Sequence, residues 1–475
     1  MSPPERRSRT PWWTLAALAL ALMAPPGAAL TVLVALAAAR LAVRAVRLLR
    51  ARRAESRNSA GGGLLLGHDR SGRRVLVADH ELGAHALILG ASGAGKSTTL
   101  LTVLGDRIAR GLPVVALDLK GSPAFARALA DAAERAGRPF MVWSPDGPAR
   151  WNPLAHGNPT ELKDKLIATE RFSEPHYQRA AERYLQTVLS VLASVHPERS
   201  PTLEEVVRLS EPRRLARLAQ RAPDPLRTHV HEYLSGLTPD QASAARGLGT
   251  RLAILTESHA GRYLGGGGPG EPEIDLRAAL RGEAVVVFSL NSSSYGKLAA
   301  QIGTMVVQDL ISAAGERLTT STGGPAPAVV AIDEFSALAA DHVVGLLARG
   351  RESGVSALLA TQELADLDRA APGVREQVLG NTAVKIVHRQ DVPASAQAVA
   401  QMTGTEWGWL ETRNLGYAGL RGSRGSRRQV EQPVVHPNTI KSLRTGEAVA
   451  ITKLPSMRVR VMRVAARRQR DGPSL

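Results

Sequence analysis

Eight consecutive residues, Gly90-Ala91-Ser92-Gly93-Ala94-Gly95-Lys96-Ser97, satisfy every fixed position of the pattern G-x-x-x-x-G-K-[ST]. Glycines at positions 90, 93 and 95 let the backbone curl until N–H groups along Ser92, Gly93, Ala94 and Gly95 point at phosphate oxygens. Lys96 is placed to reach the β- and γ-phosphates of a nucleotide. Ser97 offers a hydroxyl to Mg²⁺, and Thr98 opens the helix that follows. A second acidic element is needed if the held phosphate is to be hydrolysed. Val329-Val330-Ala331-Ile332-Asp333-Glu334 supplies one, an apolar run ending in two carboxylates. In such a pair the first acid holds Mg²⁺, usually through water, and the second polarises the attacking water. Asp333 and Glu334 fit those roles, with ATP and Mg²⁺ as the implied ligands.

The neighbouring segments have the character such a site requires. Ala86-Leu87-Ile88-Leu89 is a short apolar run, as expected of a buried parallel strand. Residues 98–110 read as a helix, with Leu100, Leu101, Leu104 and Ile108 along one side and its positive dipole end at the loop. Arg74-Val75-Leu76-Val77 is expected to be the first strand. Further strands are expected at residues 113–118, 139–143, 284–290, 357–360 and 383–387. Strands alternating with helices argue for a parallel sheet covered on both faces. Residues 161–260 break that alternation. Tyr177, Ala181, Tyr184, Val188, Leu192 and Val195 recur at helical spacing, and Thr202-Leu203-Glu204-Glu205 is a capping box.

Composition sets the outer limits. The 475 residues suffice for two or three domains, and the absence of cysteine excludes disulfides and thiolate metal sites. The twelve histidines show no metal-ligand spacing. Sixty basic against forty-three acidic residues leave a net charge of +17, which suits a polyanion or an anionic membrane surface. Aromatic residues are only 4%, so a grip on nucleic acid is expected to be mostly electrostatic and salt-sensitive.

No charged residue occurs from Trp12 to Ala39, a run long enough to cross a bilayer. Pro25-Pro26-Gly27 interrupts it, which leaves open one kinked span or a short helical hairpin. Arg6, Arg7 and Arg9 precede the run. Arg40, Arg44, Arg47, Arg50, Arg52 and Arg53 follow it and should stay cytoplasmic, on the side where ATP is. The expected organisation is therefore a membrane anchor (1–53), a linker (54–63) and a first part of an ATPase core (64–160). An inserted all-helical domain (161–270), a second part of the core (271–457) and a basic tail (458–475) follow. The stretch 409–431 carries Arg413, Arg421, Arg424, Arg427 and Arg428 among glycines; it reads equally as a DNA-contacting loop or a solvated one.

Several segments together resemble the conjugative coupling proteins of type IV secretion, the TraG/TraD-like family. They are Asp118-Leu119-Lys120-Gly121, Trp151-Asn152-Pro153-Leu154, Ser289-Leu290-Asn291-Ser292 and Ile332-Asp333-Glu334-Phe335. The run Leu347-Ala348-Arg349-Gly350-Arg351-Glu352-Ser353-Gly354, then Ala360-Thr361-Gln362 and Gly380-Asn381-Thr382, continue the match. The resemblance implies an α/β, RecA-like P-loop ATPase with a central, mostly parallel sheet, an inserted helical domain and an N-terminal transmembrane anchor. It implies a homo-hexameric ring with ATP bound between subunits. It also implies Gln362 as a γ-phosphate sensor and Arg351, with Arg349 as rival, acting on the neighbouring subunit's site. Leucine stands at position 119 where the family often has proline.

The function so implied is ATP-driven movement of single-stranded DNA, with its attached relaxase, towards a type IV secretion channel in the cytoplasmic membrane. Three alternatives stand beside it: an FtsK-like translocase on duplex DNA, a secretion ATPase exporting proteins, and a membrane adaptor that binds ATP without hydrolysing it.

Overall fold

A computed structural model describes residues 62–170, 172, 174–268, 270–320, 326–338, 340–413 and 425–465. The first elements are β1 (Gly63–Asp69), β2 (Arg74–Ala78), α1 (Asp79–Gly83), β3 (Ala86–Leu89), α2 (Lys96–Ala109), β4 (Val114–Asp118), α3 (Pro123–Arg135) and β5 (Phe140–Trp143). A helical region follows: α4 (Pro159–Ile167), α5 (Pro175–Val195), α6 (Leu203–Leu209), α7 (Pro212–Ala219), α8 (Asp224–Ser235) and α9 (Pro239–Thr256). Alternation then resumes with α10 (Leu276–Arg281), β6 (Val285–Ser289), α11 (Ser292–Thr320), β7 (Ala328–Asp333), α12 (Ala340–Gly350) and β8 (Val355–Thr361). The remaining elements are α13 (Leu364–Ala370), α14 (Val374–Asn381), β9 (Val384–Val387), α15 (Pro393–Met402), β10 (Thr405–Arg413), β11 (Gly425–Pro433), α16 (Pro437–Lys441), β12 (Glu447–Thr452) and β13 (Arg458–Val464).

Eleven strands form one sheet in the order β2-β1-β13-β12-β9-β3-β8-β7-β4-β6-β5. Every neighbouring pair from β9 to β5 is parallel. The pairs β9–β12, β12–β13 and β13–β1 are antiparallel. Alternate residues of the parallel strands feed opposite faces. Leu87, Leu89, Val115 and Leu117 pack towards α11 and the helical region. Ala86, Ile88, Val114 and Ala116 pack against Leu100, Leu104 and Ile108 of α2 and Phe125 and Leu129 of α3. A strand covered on both sides reads as a continuous apolar run, because both sets of side chains leave water. Each fully buried leucine or isoleucine contributes about 1.5–3 kcal/mol.

The helical region has its own packing logic. Ala181, Tyr184, Val188 and Leu192 line the buried side of α5, and the Tyr184 hydroxyl donates to the Leu209 carbonyl at 2.9 Å. Thr202 caps α6: its Oγ1 accepts from the Glu205 N–H at 3.3 Å, while a Glu205 carboxylate oxygen accepts from the Thr202 N–H at 3.1 Å. Buried Lys165 of α4 donates to Asp309 of α11 at 2.8 Å and to the Pro153 carbonyl at 2.7 Å, tying this region to the sheet layer.

Three segments differ from expectation. A strand, β1, precedes the expected first strand and begins within the expected linker. Arg458–Val464, read as the start of a basic tail, is β13, held between β12 and β1. Its arginines obscured a short alternation at its end, in which Met462 and Val464 are buried while Arg463 between them faces water. The described parts of the arginine- and glycine-rich stretch 409–431 belong to a two-stranded ribbon, β10 paired with β11 from Thr405↔Pro433 to Arg413↔Gly425. The expected transmembrane anchor lies outside the described residues, as do Arg421 and Arg424. Among the described residues no helix is long and apolar enough to cross a membrane.

Candidate active site

Register brings the carboxyl ends of the central strands level. Asp118 pairs with Asp333, Asp333 with Ala360, and Thr361 with Leu89. The residues that follow β3, β4, β7 and β8 therefore emerge at one edge of the sheet, the edge at which open α/β sheets bind ligands. Gly90 to Gly95 turn from β3 into α2, with Gly93 at φ +72° and Gly95 at φ +121°. Only glycine adopts such angles freely. Gly90 is needed for a different reason: a Cβ there would lie 2.7 Å from the His388 Cβ. Ala94 and Lys96 are buried, whereas Ser92, Gly93, Ser97 and Thr98 are exposed at the mouth of the loop. No side chain caps α2, so its first N–H groups remain available to an anion.

Four side chains converge beside this loop. Lys96 Nζ donates to the Gly90 carbonyl at 2.5 Å and stands 3.9 Å from Glu334 Oε1. Burial lowers the Lys96 pKa, and the nearby Lys120 ammonium pushes it the same way. Glu334 adopts φ +58°, ψ +42°, a left-handed conformation that costs a non-glycine residue of order 1 kcal/mol. Besides Lys96, its Oε1 meets Lys120 Nζ at 2.9 Å and the Gln362 Nε2 donor at 3.1 Å. Gln362 reaches it because β8 lies between β3 and β7. The Gln362 carbonyl in turn accepts from buried Gln390 at 3.2 Å.

Asp333 ends β7 and is buried. Burial raises its pKa, and Lys120 opposes that rise. Oδ2 accepts from Lys120 Nζ at 3.2 Å; Oδ1 is buried with no hydrogen-bond partner. An orphaned carboxylate oxygen beside a phosphate loop is a position that a hydrated cation satisfies. One carboxylate and one hydroxyl, here Asp333 and Ser97, are a donor set suited to Mg²⁺, which takes its other ligands from water and phosphate. Among the described residues no cluster of three or more His, Cys, Asp or Glu could hold a metal by itself.

Arg351 stands apart from this group. α12 carries the chain from the carboxyl edge back to the amino edge, and Arg351 lies in the turn before β8. Both Arg349 and Arg351 are exposed. The seven residues of β8 put about 20 Å between that turn and Gln362, too far for Arg351 to serve this chain's own loop.

Two contributors carried no role in the sequence reading. Lys120 follows β4, whose end is level with Asp333, and its ammonium bridges the acidic pair. Burial lowers its pKa, but Asp333 and Glu334 raise it by more. Only the pairing of β4 with β7 joins these residues, and sequence does not reveal strand order. The Lys120 turn is held by Asp118, whose carboxylate accepts from the N–H groups of Lys120 at 3.0 Å and Ser122 at 2.5 Å. Gly121, at φ +66°, lies against Asn291, and the Leu290 N–H donates to the Asp118 carbonyl at 2.9 Å. Two segments quoted for the resemblance thus build one corner of the site. The second contributor is His388, buried beneath the loop. Its Nδ1–H donates to the Glu447 carbonyl at 2.9 Å, so Nε2 accepts from the Thr99 hydroxyl at 2.8 Å. Burial lowers its pKa to about 4, keeping the ring neutral beside Lys96.

Fold and site together define a RecA-like P-loop NTPase. Residues 327–445 match the family model described as the TraM recognition site of TraD and TraG. The fold is similar to that of the bacterial conjugative coupling protein TrwB in its unbound form, with 15% identity, 85% of this chain and 89% of that chain covered, and a TM-score of 0.58. TrwB in complex with ADP and Mg²⁺ matches at 15% identity over 86% of this chain and 91% of that chain, with a TM-score of 0.60. VirB4 of Thermoanaerobacter pseudethanolicus matches at 17% identity, 86% and 97% coverage and a TM-score of 0.55. At these identities the structural likeness is one of fold. No curated protein matches the chain. The family match supports the resemblance to conjugative coupling proteins of type IV secretion drawn from the sequence motifs.

Proposed function

We propose that the chain is a membrane-anchored ATPase that moves single-stranded DNA, with its bound relaxase, into a type IV secretion channel. The observation that carries this reading is the meeting of Lys96, Lys120 and Gln362 on Glu334, beside an Asp333 oxygen that lacks a partner. A binding-only adaptor has no use for a strained glutamate held against a glutamine at the phosphate end of the loop. The net charge of +17 suits a polyanionic cargo. The relatives' names point to conjugation and, in TrwB, to bound ADP and Mg²⁺. A relaxosome protein of the TraM kind is the partner suggested for residues 327–445.

In this reading Gly90, Ser92, Gly93, Ala94, Gly95 and Thr98 cradle the phosphates, and Lys96 meets the β- and γ-oxygens. Ser97 and Asp333 hold Mg²⁺, which supplies positive charge against the phosphates. Glu334 orients and polarises the attacking water. Gln362, bonded to Glu334, reports the presence of the γ-phosphate. Arg351 serves the adjacent subunit of a homo-hexamer, the anchor within residues 1–53 sits in the cytoplasmic membrane, and the ATPase faces the cytoplasm.

The test is ATP turnover by the full chain at low salt, without DNA, with an unpaired strand and with duplex. Stimulation by the unpaired strand is expected, and Lys96→Ala should abolish turnover without lowering the thermal unfolding midpoint. Stimulation by duplex alone would favour the FtsK-like alternative. Turnover in Lys96→Ala near that of the wild type would remove the site assignment.

A further inference from the structure

Lys120 reaches the site from a strand that carries neither the phosphate loop nor the acidic pair. Lys96 and Lys120 stand 3.9 Å and 2.9 Å from the same oxygen, Glu334 Oε1. The sheet order β3-β8-β7-β4 brings Lys96 to it from the β3 side and Lys120 from the β4 side. The turn that carries Lys120 is braced, so the side chain rather than the backbone can move. The Asp118 carboxylate accepts from the N–H groups of Lys120 and Ser122, and the Leu119 carbonyl accepts from the Ser292 N–H at 2.7 Å. A Cβ on Gly121 would lie 2.5 Å from the Asn291 Cβ.

Exposure sets Lys120 apart from a structural counter-ion. Lys165 and Asp309, which tie the helical region to the sheet layer, are 2% and 4% exposed, so both members of that pair are sealed. Lys120 is 37% exposed, although its partners Asp333 and Glu334 are 3% and 13% exposed. It covers the acids from the solvent side.

The roles proposed above for the two acids use the same oxygens that Lys120 now holds. A glutamate that orients the attacking water lies about 2.6–3.2 Å from it, and that water lies about 3–3.5 Å from the γ-phosphorus. Lys120 is thus bonded to an oxygen one water molecule away from the γ-phosphoryl position. A triphosphate carries more negative charge than one divalent cation cancels, and an ammonium displaced from the acids finds its nearest anion in the γ-oxygens.

We infer that Lys120 is a further catalytic residue: with ATP bound, its ammonium leaves the acidic pair and donates to a γ-phosphate oxygen on the side opposite Lys96. In the transfer the water oxygen bonds to the γ-phosphorus as the bond from that phosphorus to the β–γ bridging oxygen breaks. The bridging oxygen leaves with the electron pair on ADP, and the water proton passes to Glu334. Lys120 transfers no proton; its charge meets the negative charge on the equatorial oxygens. The inference rests on the ATP hydrolysis in the function proposed above and adds a residue of this chain to the transition state.

The test titrates the full chain, in saturating Mg²⁺, with ADP and with the non-hydrolysable imido analogue of ATP. Lys120→Met and Lys120→Gln should each weaken binding of the analogue about tenfold and of ADP by less than twofold. Retained ADP affinity shows that the variant is folded. Turnover should fall by roughly 10²- to 10³-fold. An equal loss for both nucleotides overturns the inference, because the charge then acts on the loop or the inner phosphates. Unchanged or tighter binding of the analogue also overturns it and leaves Lys120 as a counter-ion to the acidic pair. Wild-type turnover that ignores DNA would overturn the DNA-moving reading and not this one, which is read on nucleotide alone. A wild type that binds neither nucleotide overturns both.

Discussion

At the carboxyl edge of the parallel strands, charged groups crowd together with a polar atom left over; at the amino edge a buried imidazole has a partner for each ring nitrogen. Lys96, Lys120, Asp333 and Glu334 crowd the first edge, with a buried oxygen of Asp333 left over and Glu334 in a strained conformation. At the second edge stands His85, also at positive φ, with both ring nitrogens satisfied. Nδ1 accepts from the Ala357 N–H and Nε2 donates to the Leu347 carbonyl, each at 2.9 Å. Unmatched charge is costly in a buried place unless something is to fill it. The first edge has the properties of a site awaiting an anion and a cation. The second locks α12, β8 and the start of β3 together.

Arg351 tests whether the amino edge is only a lock. It is exposed there and far from its own loop, so its proposed role requires a neighbour. Arg351→Ala should lower ATP turnover by roughly 10³-fold with nucleotide affinity unchanged, as measured by steady-state kinetics and titration of a fluorescent nucleotide. Mixing Arg351→Ala with Lys96→Ala chains should restore part of the activity, since an intact loop then meets an intact arginine. No recovery on mixing would remove the role in trans, and an equal defect in Arg349→Ala alone would transfer it to that residue.

Lys120 sharpens the comparison from the other edge. Its ammonium occupies the space between Asp333 and Glu334 where a divalent cation would bring similar charge. Lys120→Met should therefore leave two adjacent carboxylates without a counter-charge. The expected result is a several-fold lower Mg²⁺ concentration for half-maximal nucleotide binding, and an unfolding midpoint lowered by a few degrees in metal-free buffer. Unchanged Mg²⁺ dependence would mean that the lysine does not compete for that position.

What was legible in the sequence follows from locality. The P-loop, the acidic pair and the buried parallel strands are contiguous, and strands such as Val114–Asp118 and Val285–Ser289 are apolar throughout because both faces are covered. The Thr202 capping box is local in the same way. Lys120 was not legible as a partner of Asp333, 213 residues away, because that contact depends on strand order. β13 was hidden because its exposed arginines outweigh the half-alternation of a strand near the antiparallel side of the sheet. The ribbon gave no hydrophobic pattern because neither face enters the core.

His85 gives the smallest effect and tests the amino edge directly. Burial lowers its pKa from 6.5 to about 4, with its bond to the Leu347 carbonyl opposing the shift and Arg351 adding to it. The folded-state pKa is below the unfolded value, so between pH 4 and 6.5 the unfolded chain binds the proton and the folded chain does not. The contribution of His85 is then complete above pH 6.5 and is lost as pH falls, at up to about 1.4 kcal/mol per pH unit. His85→Asn tolerates the positive φ and keeps an acceptor near the Ala357 N–H, but loses the donor to Leu347, at a cost of about 1 kcal/mol. The variant should unfold at lower temperature than the wild type at pH 7.5. Because asparagine does not titrate, the gap should close or reverse by pH 5. A gap independent of pH would mean that His85 takes up its proton equally in both states, and that the amino edge is held by something other than a neutral imidazole.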